Sequence, residues 1–361
     1  MFYHFVFPLK GHITYLNIFQ YITFRSAAAA VTALLLVLIF GGPVIRWLQR
    51  IKFGEQIRNL GPESHKSKAG TPTMGGILFL GAVVVSIILW GNFSNHYLVI
   101  LIISTVLLGA LGFIDDYIKA VKKRKDGVNP KGKLIVQICV AAVVSAAVYS
   151  FPSNSGEATT LYIPFIKRAI ADLGLAWILF SVFVIISYSN AVNLTDGLDG
   201  LAAGTVGIVT ATLAIMTYLT GNVKITEYLG IPYIAHAAEL TVFLSALTGA
   251  LIGFLWFNSN PASVFMGDTG SLALGGVIGI VSIMIKKEFF LVIVGGIFVI
   301  EALSVVIQVG SFKLRKKRVF KMAPIHHHFE LSGWPEQKVV ARMWIIGIVL
   351  AIMGLASLKI L

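Results

Sequence analysis

Residues 97–116 read YLVILIISTVLLGALGFIDD. A run of uncharged, mostly apolar residues from Tyr97 to Ile114 leads straight into two adjacent carboxylates, Asp115 and Asp116. A helix rises about 1.5 Å per residue, so about 20 apolar residues cross the hydrocarbon core of a bilayer. The stretch therefore reads as a spanning helix that delivers two acids to a membrane surface.

The rest of the chain repeats the pattern. Of 361 residues, 57% are hydrophobic and 12% charged, and mean hydropathy is +0.86. A soluble fold of this size would need far more polar surface. The composition also excludes disorder, collagen-like repeats and a secreted disulfide scaffold. The single cysteine, Cys139, lies in an apolar run and cannot form an intrachain disulfide. Ten stretches qualify as spans: 25–45, 72–90, 97–114, 133–151, 173–190, 200–219, 238–256, 270–286, 288–311 and 339–359. The expected class is an all-α integral membrane protein, one polytopic domain over 1–361. The first stretch is no cleavable leader, because its apolar run is long and its basic residues follow it. Residues 1–24 hold eight Phe and Tyr, which suits a segment lying on the outer leaflet.

The Lys and Arg residues set the orientation. With the N-terminus outside, the loops 46–71, 115–133 and 311–338 fall inside and carry six, seven and seven Lys/Arg. The outer segments together carry seven. That bias places both termini on the outer, periplasmic side. The net charge of +13 is then a membrane-surface feature facing anionic lipid, not a nucleic-acid footprint. The inner connections 190–200 and 257–269 contain no Lys or Arg, so charge bias did not shape them. The loops leave no room for a soluble nucleotide-binding domain, and no Walker, Rossmann, GxSxG or HExxH pattern occurs. The outer stretch 151–172 is expected to form a small hairpin.

Five of the seven aspartates fall at the inner ends of expected spans or in the inner connections between them: Asp115, Asp116, Asp196, Asp199 and Asp268. Helix capping or local charge balance explains Asp126 and Glu63. It does not fit Asp196, Asp199 or Asp268, whose loops have no cation. Asp115 and Asp116 point about 100° apart on a straight helix, so both are not expected to chelate one ion. One is left to bind metal while the other positions a substrate group or pairs with Lys119. Adjacent carboxylates beside hydrocarbon need compensation, which a divalent cation provides. Oxygen ligands with an open site suit Mg²⁺ shared with substrate phosphates.

Residues 190–200, NAVNLTDGLDG, crowd amides, a hydroxyl and carboxylates beside the membrane, a density that suits a nucleobase or ribose. In 256–271, WFNSNPASVFMGDTGS, Gly267 and Gly270 flank Asp268 and would let backbone approach a phosphate or metal. Phe265, expected to be exposed in this polar loop, is placed to stack on a base. Within His326, His327 and His328, neighbouring side chains diverge. This argues against a three-His metal site and leaves one or two for phosphate or sugar. Lys66 and Lys68 precede the flexible GTPTMGG entry to the second span, suiting either lipid headgroups or substrate. Glu301 sits mid-span and needs a partner on a neighbouring helix.

Taken in order, Gly61-Pro-Glu-Ser-His with Thr71-Pro-Thr-Met-Gly-Gly, Phe113-Ile-Asp-Asp-Tyr, the 190–200 segment, Phe265-Met-Gly-Asp-Thr-Gly-Ser and Pro324-Ile-His-His-His-Phe-Glu resemble the phospho-N-acetylmuramoyl-pentapeptide transferases. The likeness covers essentially the whole chain. The wider polyprenyl-phosphate N-acetylhexosamine-1-phosphate transferase superfamily shares the paired aspartates, and the histidine tail points to the muramoyl branch.

The resemblance implies a bacterial inner-membrane enzyme with a cytoplasmic active site. It would join UDP-MurNAc-pentapeptide to undecaprenyl phosphate with Mg²⁺, releasing UMP and forming the first lipid intermediate of peptidoglycan. Asp115, Asp116 and Asp268 would be the essential acids and metal ligands, Asp268 foremost. Lys68, Asp199 and Phe265 would hold the uracil, with Thr73, Asn193 and Asp196 lining the nucleoside site and Asn258 and Gly267 also contacting substrate. His326, His327 and His328 would lie near the diphosphate, and the family commonly dimerises. A relative using UDP-GlcNAc is the nearest rival. A secondary transporter is remoter, since its acids would sit at the bilayer midplane between repeats, and no repeat is visible.

Overall fold

The computed structural model describes residues 1–11, 13–51, 70–121, 127–151, 159–166 and 169–358. Thirteen helices follow in order among them: α1 Ile22–Arg50, α2 Gly76–Trp90, α3 His96–Val121, α4 Pro130–Ser150, α5 Ala176–Thr195, α6 Leu201–Thr220, α7 Val223–Leu229, α8 Ala237–Asn258, α9 Gly267–Met284, α10 Glu288–Val294, α11 Gly296–Arg315, α12 Ile325–Glu330 and α13 Glu336–Ala356. Nine are long and apolar enough to cross a membrane, and α2 is a shorter apolar helix of 15 residues. The protein is an all-α, multi-pass membrane protein.

The bundle is organised around α9. Its apolar window is 89% buried, against 28% for α1 and 22% for α11, so α9 is the axis and those two face outward. Without a hydrophobic drive between helices in lipid, close backbone approach at small residues does the packing. A Cβ on Gly112 of α3 would overlap the carbonyl of Asp268 on α9, and one on Gly275 of α9 would overlap that of Tyr188 on α5. These two contacts seat α9 between α3 and α5.

Two boundaries differ from expectation in ways that bear on the site. Helix α3 does not end at 114 but continues to Val121, so Asp115 and Asp116 lie within a helix and not beyond one. The expected span 288–311 is broken at Gly295, which separates α10 from α11. Two consecutive glycines, 295 and 296, lower helix propensity enough to permit the break.

At the end of the bundle away from Asp115 and Asp116, Phe2–Gly11 and Thr14–Gln20 form short 3₁₀ and π-type turns. The rings of Phe2, Phe19 and Phe24 gather on Trp90 of α2. Beneath them Arg25 of α1 forks onto Glu239 of α8 at 2.5 and 2.8 Å, and both are buried. The Asn92 amide also donates to that carboxylate at 2.8 Å. A buried pair of this kind is favourable only where its charges are matched by close hydrogen bonds, which the fork and the Asn92 amide supply. Thr160–Leu161 pairs antiparallel with Ala171–Asp172, giving a two-stranded hairpin.

Candidate active site

The acids converge where α3 meets α9. One oxygen from each of Asp115, Asp116 and Asp268 lies within 4.8 Å of the others. The adjacent pair was not expected to share one ion. The three oxygens nonetheless lie close enough together to hold one ion.

The three carboxylates do different work. Asp116 Oδ1 accepts the backbone N–H of Asp268 at 3.1 Å, and Oδ2 accepts the N–H and hydroxyl of Thr269 at 2.9 and 2.7 Å. It thus caps α9, whose first amides have no intrahelical partner. Asp115 Oδ1 accepts the Val128 amide at 2.7 Å. Asp115 Oδ2 is ion-paired but accepts no well-aligned hydrogen bond. Asp268 Oδ1 accepts a hydrogen bond from Asn193 Nδ2 at 2.7 Å, and the same amide donates to Ser271 Oγ at 2.8 Å.

Two lysines complete the cluster. Lys119 Nζ lies 2.6 Å from Asp115 Oδ2 and 3.0 Å from Asp268 Oδ2. Lys133 Nζ, at the start of α4, lies 3.1 and 2.7 Å from the same oxygens. Asp268 therefore does have cations, supplied by two other helices and not by its own loop. Lys119 is marked in the sequence by its spacing to the acids. Lys133 is one basic residue among seven in its loop, and nothing local marks it.

The donor set fits a divalent cation. Asp115 Oδ2 and Asp268 Oδ2 already share two ammonium groups, so positive charge between them is what this geometry demands. The oxygen of Asp115 that lacks a good hydrogen bond faces the same place. All the donors are hard oxygens, the kind Mg²⁺ prefers.

Gly267 is required by this packing. Its φ is +75°, and a Cβ there would stand 2.6 Å from Asp116 Oδ2 and 2.9 Å from Thr73 Oγ1. Thr73 is brought there by a short pairing of chain segments. Phe265 N–H donates to the Pro72 carbonyl at 2.8 Å, and the Gly75 and Gly76 amides donate to the carbonyls of Phe265 and Met266 at 2.8 and 2.9 Å. Gly270 serves helix packing instead, against Met266, Phe79 and the backbone of Gly76. Phe265 is half-buried rather than exposed, since its backbone is fixed by that pairing.

Several other expected ligands hold loops together. Asn258 is buried, with Nδ2 donating to the Val264 carbonyl at 2.9 Å and Oδ1 accepting from Gly200 N–H at 3.1 Å. Asp199 is buried too, and its Oδ2 accepts from Asn260 Nδ2 and the Ala262 amide, each at 3.1 Å. Its own N–H donates to Glu336 Oε1 at 2.7 Å. Asp196 is the half-buried residue at the C-terminal cap of α5. Lys68, with Lys66, lies outside the described residues.

The three histidines separate as expected, but each has a protein partner. His326 is fully buried, with Nδ1 3.1 Å from Glu301 Oε2. Its Nε2 abuts Gly197 in the polar 190–200 segment. The mid-span acid thus finds its partner on α12, next in sequence to its own helix. His327 Nδ1 lies 2.8 Å from Glu330 Oε2, and His328 Nδ1 accepts the Lys321 amide at 3.1 Å.

The chain is similar to known proteins over its whole length. Residues 98–286 match the family model described as glycosyl transferase family 4, and residues 68–80 match a phospho-N-acetylmuramoyl-pentapeptide-transferase signature. A phospho-N-acetylmuramoyl-pentapeptide-transferase of Leptospira biflexa is 51% identical over 355 residues, covering 96% of each chain. Proteins of the same name from Desulforapulum autotrophicum and Thermodesulfovibrio yellowstonii are 51% and 49% identical over 361 residues, covering each chain in full.

Proposed function

Because the chain belongs to the phospho-N-acetylmuramoyl-pentapeptide-transferase family, we propose that its acid cluster performs that transfer. The enzyme moves phospho-MurNAc-pentapeptide from UDP-MurNAc-pentapeptide to undecaprenyl phosphate, giving the undecaprenyl-diphospho product and UMP. The observation that carries the reading is the meeting of Asp115, Asp116 and Asp268 with two lysines at one end of the bundle.

Both substrates are anions, so their approach needs positive charge. Mg²⁺ held by Asp115 and Asp268, with Asp116 behind them, would neutralise the diphosphate and stabilise the leaving UMP. Lys119 and Lys133 turn from the carboxylates to phosphate oxygens as the substrates enter. The second pKa of a phosphate monoester is about 6, so the lipid phosphate is mostly a dianion near neutral pH and attacks directly. Asp115 orients it or removes a residual proton. Asp116 is a poor candidate for a covalent aspartyl-phosphate, because three donors already occupy its oxygens.

Phe265 stacks on uracil, with Thr73, Asn193 and Asp196 lining the nucleoside site and Asp199 fixing the loop beneath. The basic loops support an inner-membrane location with the acids facing the cytoplasm. Release of UMP from each of two donors, UDP-MurNAc-pentapeptide and UDP-GlcNAc, tests the reading on purified enzyme with undecaprenyl phosphate and Mg²⁺. Turnover with the muramoyl donor alone is expected, and preference for UDP-GlcNAc would overturn the assignment.

A further inference from the structure

A groove lies apart from the acids, on the exposed side of α13. Phe329 of α12, Trp334 in the connection and Met343, Ile345 and Ile346 of α13 line an apolar cavity of about 370 Å³, joined by Arg342. Phe329 and Trp334 stack at 4.8 Å with ring planes 19° apart, forming a flat wall. Two cations address that wall: Arg342 Cζ is 4.1 Å from the Trp334 ring centre and Lys338 Nζ is 5.5 Å from it.

Both cations are exposed, and among the described residues neither has an acidic partner. Stacking leaves the guanidinium's in-plane N–H donors directed outward, the arrangement that recognises phosphate. Lys338 and Arg342 are four residues apart in the first two turns of α13, on the same helix face. That end of α13 is the end at which the acids gather, since Glu336 bonds the Asp199 amide. Tryptophan and basic residues at a helix end mark the headgroup level of a bilayer.

We propose that this groove is a binding site for an anionic glycerophospholipid, with the headgroup phosphate on Arg342 and Lys338 and an acyl chain against Trp334, Met343 and Ile346. Charge complementarity selects an anionic headgroup over a zwitterionic one, and the apolar lining selects a chain over a free phosphate. The polyprenyl carrier is a poorer occupant. Its phosphate must reach the acids, whose partners come from α3, α4, α5 and α9 and not from α13.

The test uses the full-length protein in mixed micelles doped with phosphatidylglycerol, phosphatidylcholine or undecaprenyl phosphate, with unfolding temperature and bound lipid as readouts. Phosphatidylglycerol should raise the unfolding temperature of the wild type, and phosphatidylcholine should not. Each of Arg342→Gln and Lys338→Gln should weaken phosphatidylglycerol binding about fivefold, the share of one cation at an anionic surface. Lys317→Gln, on the same face but outside the groove, should retain the response. Equal loss in Lys317→Gln would reduce the effect to general surface attraction and overturn the site. Stabilisation by undecaprenyl phosphate alone, lost in Arg342→Gln with a raised carrier KM, would overturn the phospholipid assignment. Should Arg342→Gln fail to fold, Lys338→Gln alone decides, since among the described residues its exposed side chain makes only the ring contact. Because binding is read without turnover, its failure is distinct from failure of the proposed reaction.

Discussion

Asp116 caps the helix that carries Asp268: the amides of Asp268 and Thr269 both donate to its carboxylate, at 3.1 and 2.9 Å. One acid therefore aims another, and substitution should separate their roles. Asp268→Asn removes a charged ligand and should lower kcat by roughly 10²–10³, the loss typical of one preorganised electrostatic contact. Wild-type turnover at saturating Mg²⁺ would reject Asp268 as a ligand.

Asp116→Asn should lower both kcat and thermal stability while leaving UMP affinity unchanged. Asn keeps one acceptor oxygen but loses the negative charge at the helix N-terminus, worth roughly 0.3–1 kcal/mol. Calorimetric UMP titration beside a melting curve checks this. A variant as stable as the wild type would mean that the cap does not hold α9 in place.

Lys119 and Lys133 occupy the place where a cation belongs, which predicts competition. In Lys133→Met the acids carry one more uncompensated charge, so Mg²⁺ should raise the unfolding temperature more than it does in the wild type. A ligand at 100 times its Kd stabilises by about 2.7 kcal/mol. Equal Mg²⁺-induced shifts in both proteins would show that the ammonium and the metal do not share a position.

Phe265→Ala should weaken UMP binding by about 1–3 kcal/mol, the range for an aromatic ring stacked on a base. The effect belongs in KM, because stacking is similar in ground and transition states. Unchanged UMP affinity would leave Phe265 as a loop anchor beside Pro72.

Gly112→Ala tests the helix contact that builds the cluster. Its Cβ would collide with the Asp268 carbonyl, and overpacking of this kind costs roughly 1–3 kcal/mol. Activity should fall more steeply than stability, since Asp268 is displaced from Asp115. A fully active Gly112→Ala would mean that α3 and α9 have slack at the site.

The helices were legible because hydropathy is a local property. The acids were legible because charge beside a membrane is unusual. What the sequence concealed is long-range pairing. Lys133 looks like any other basic loop residue until the fold brings it to Asp268. Asn258 and Asp199 resemble ligands in a polar loop, but a membrane-surface loop must also satisfy its own buried amides, and both carry that load. Glu301 announced that it needed a partner, but only the fold identifies His326. The break at Gly295 falls within an apolar run, where hydropathy cannot register it.

The i,i+4 pair of Asp115 and Lys119, 2.6 Å apart on α3, has a bearing on how the chain is made. Synthesis runs from the N-terminus, so α3 is complete long before α9 emerges. Asp115 enters the bilayer with its counter-ion on the same helix, an arrangement that stabilises even an isolated segment. Asp116 makes no ion pair on its own helix among the described residues and stays uncapped until the amides of Asp268 and Thr269 arrive. Insertion of α9 is thus the event that supplies Asp116 with its donors. A nascent chain truncated before Gly267 would keep that carboxylate exposed, a state that membrane quality control could recognise.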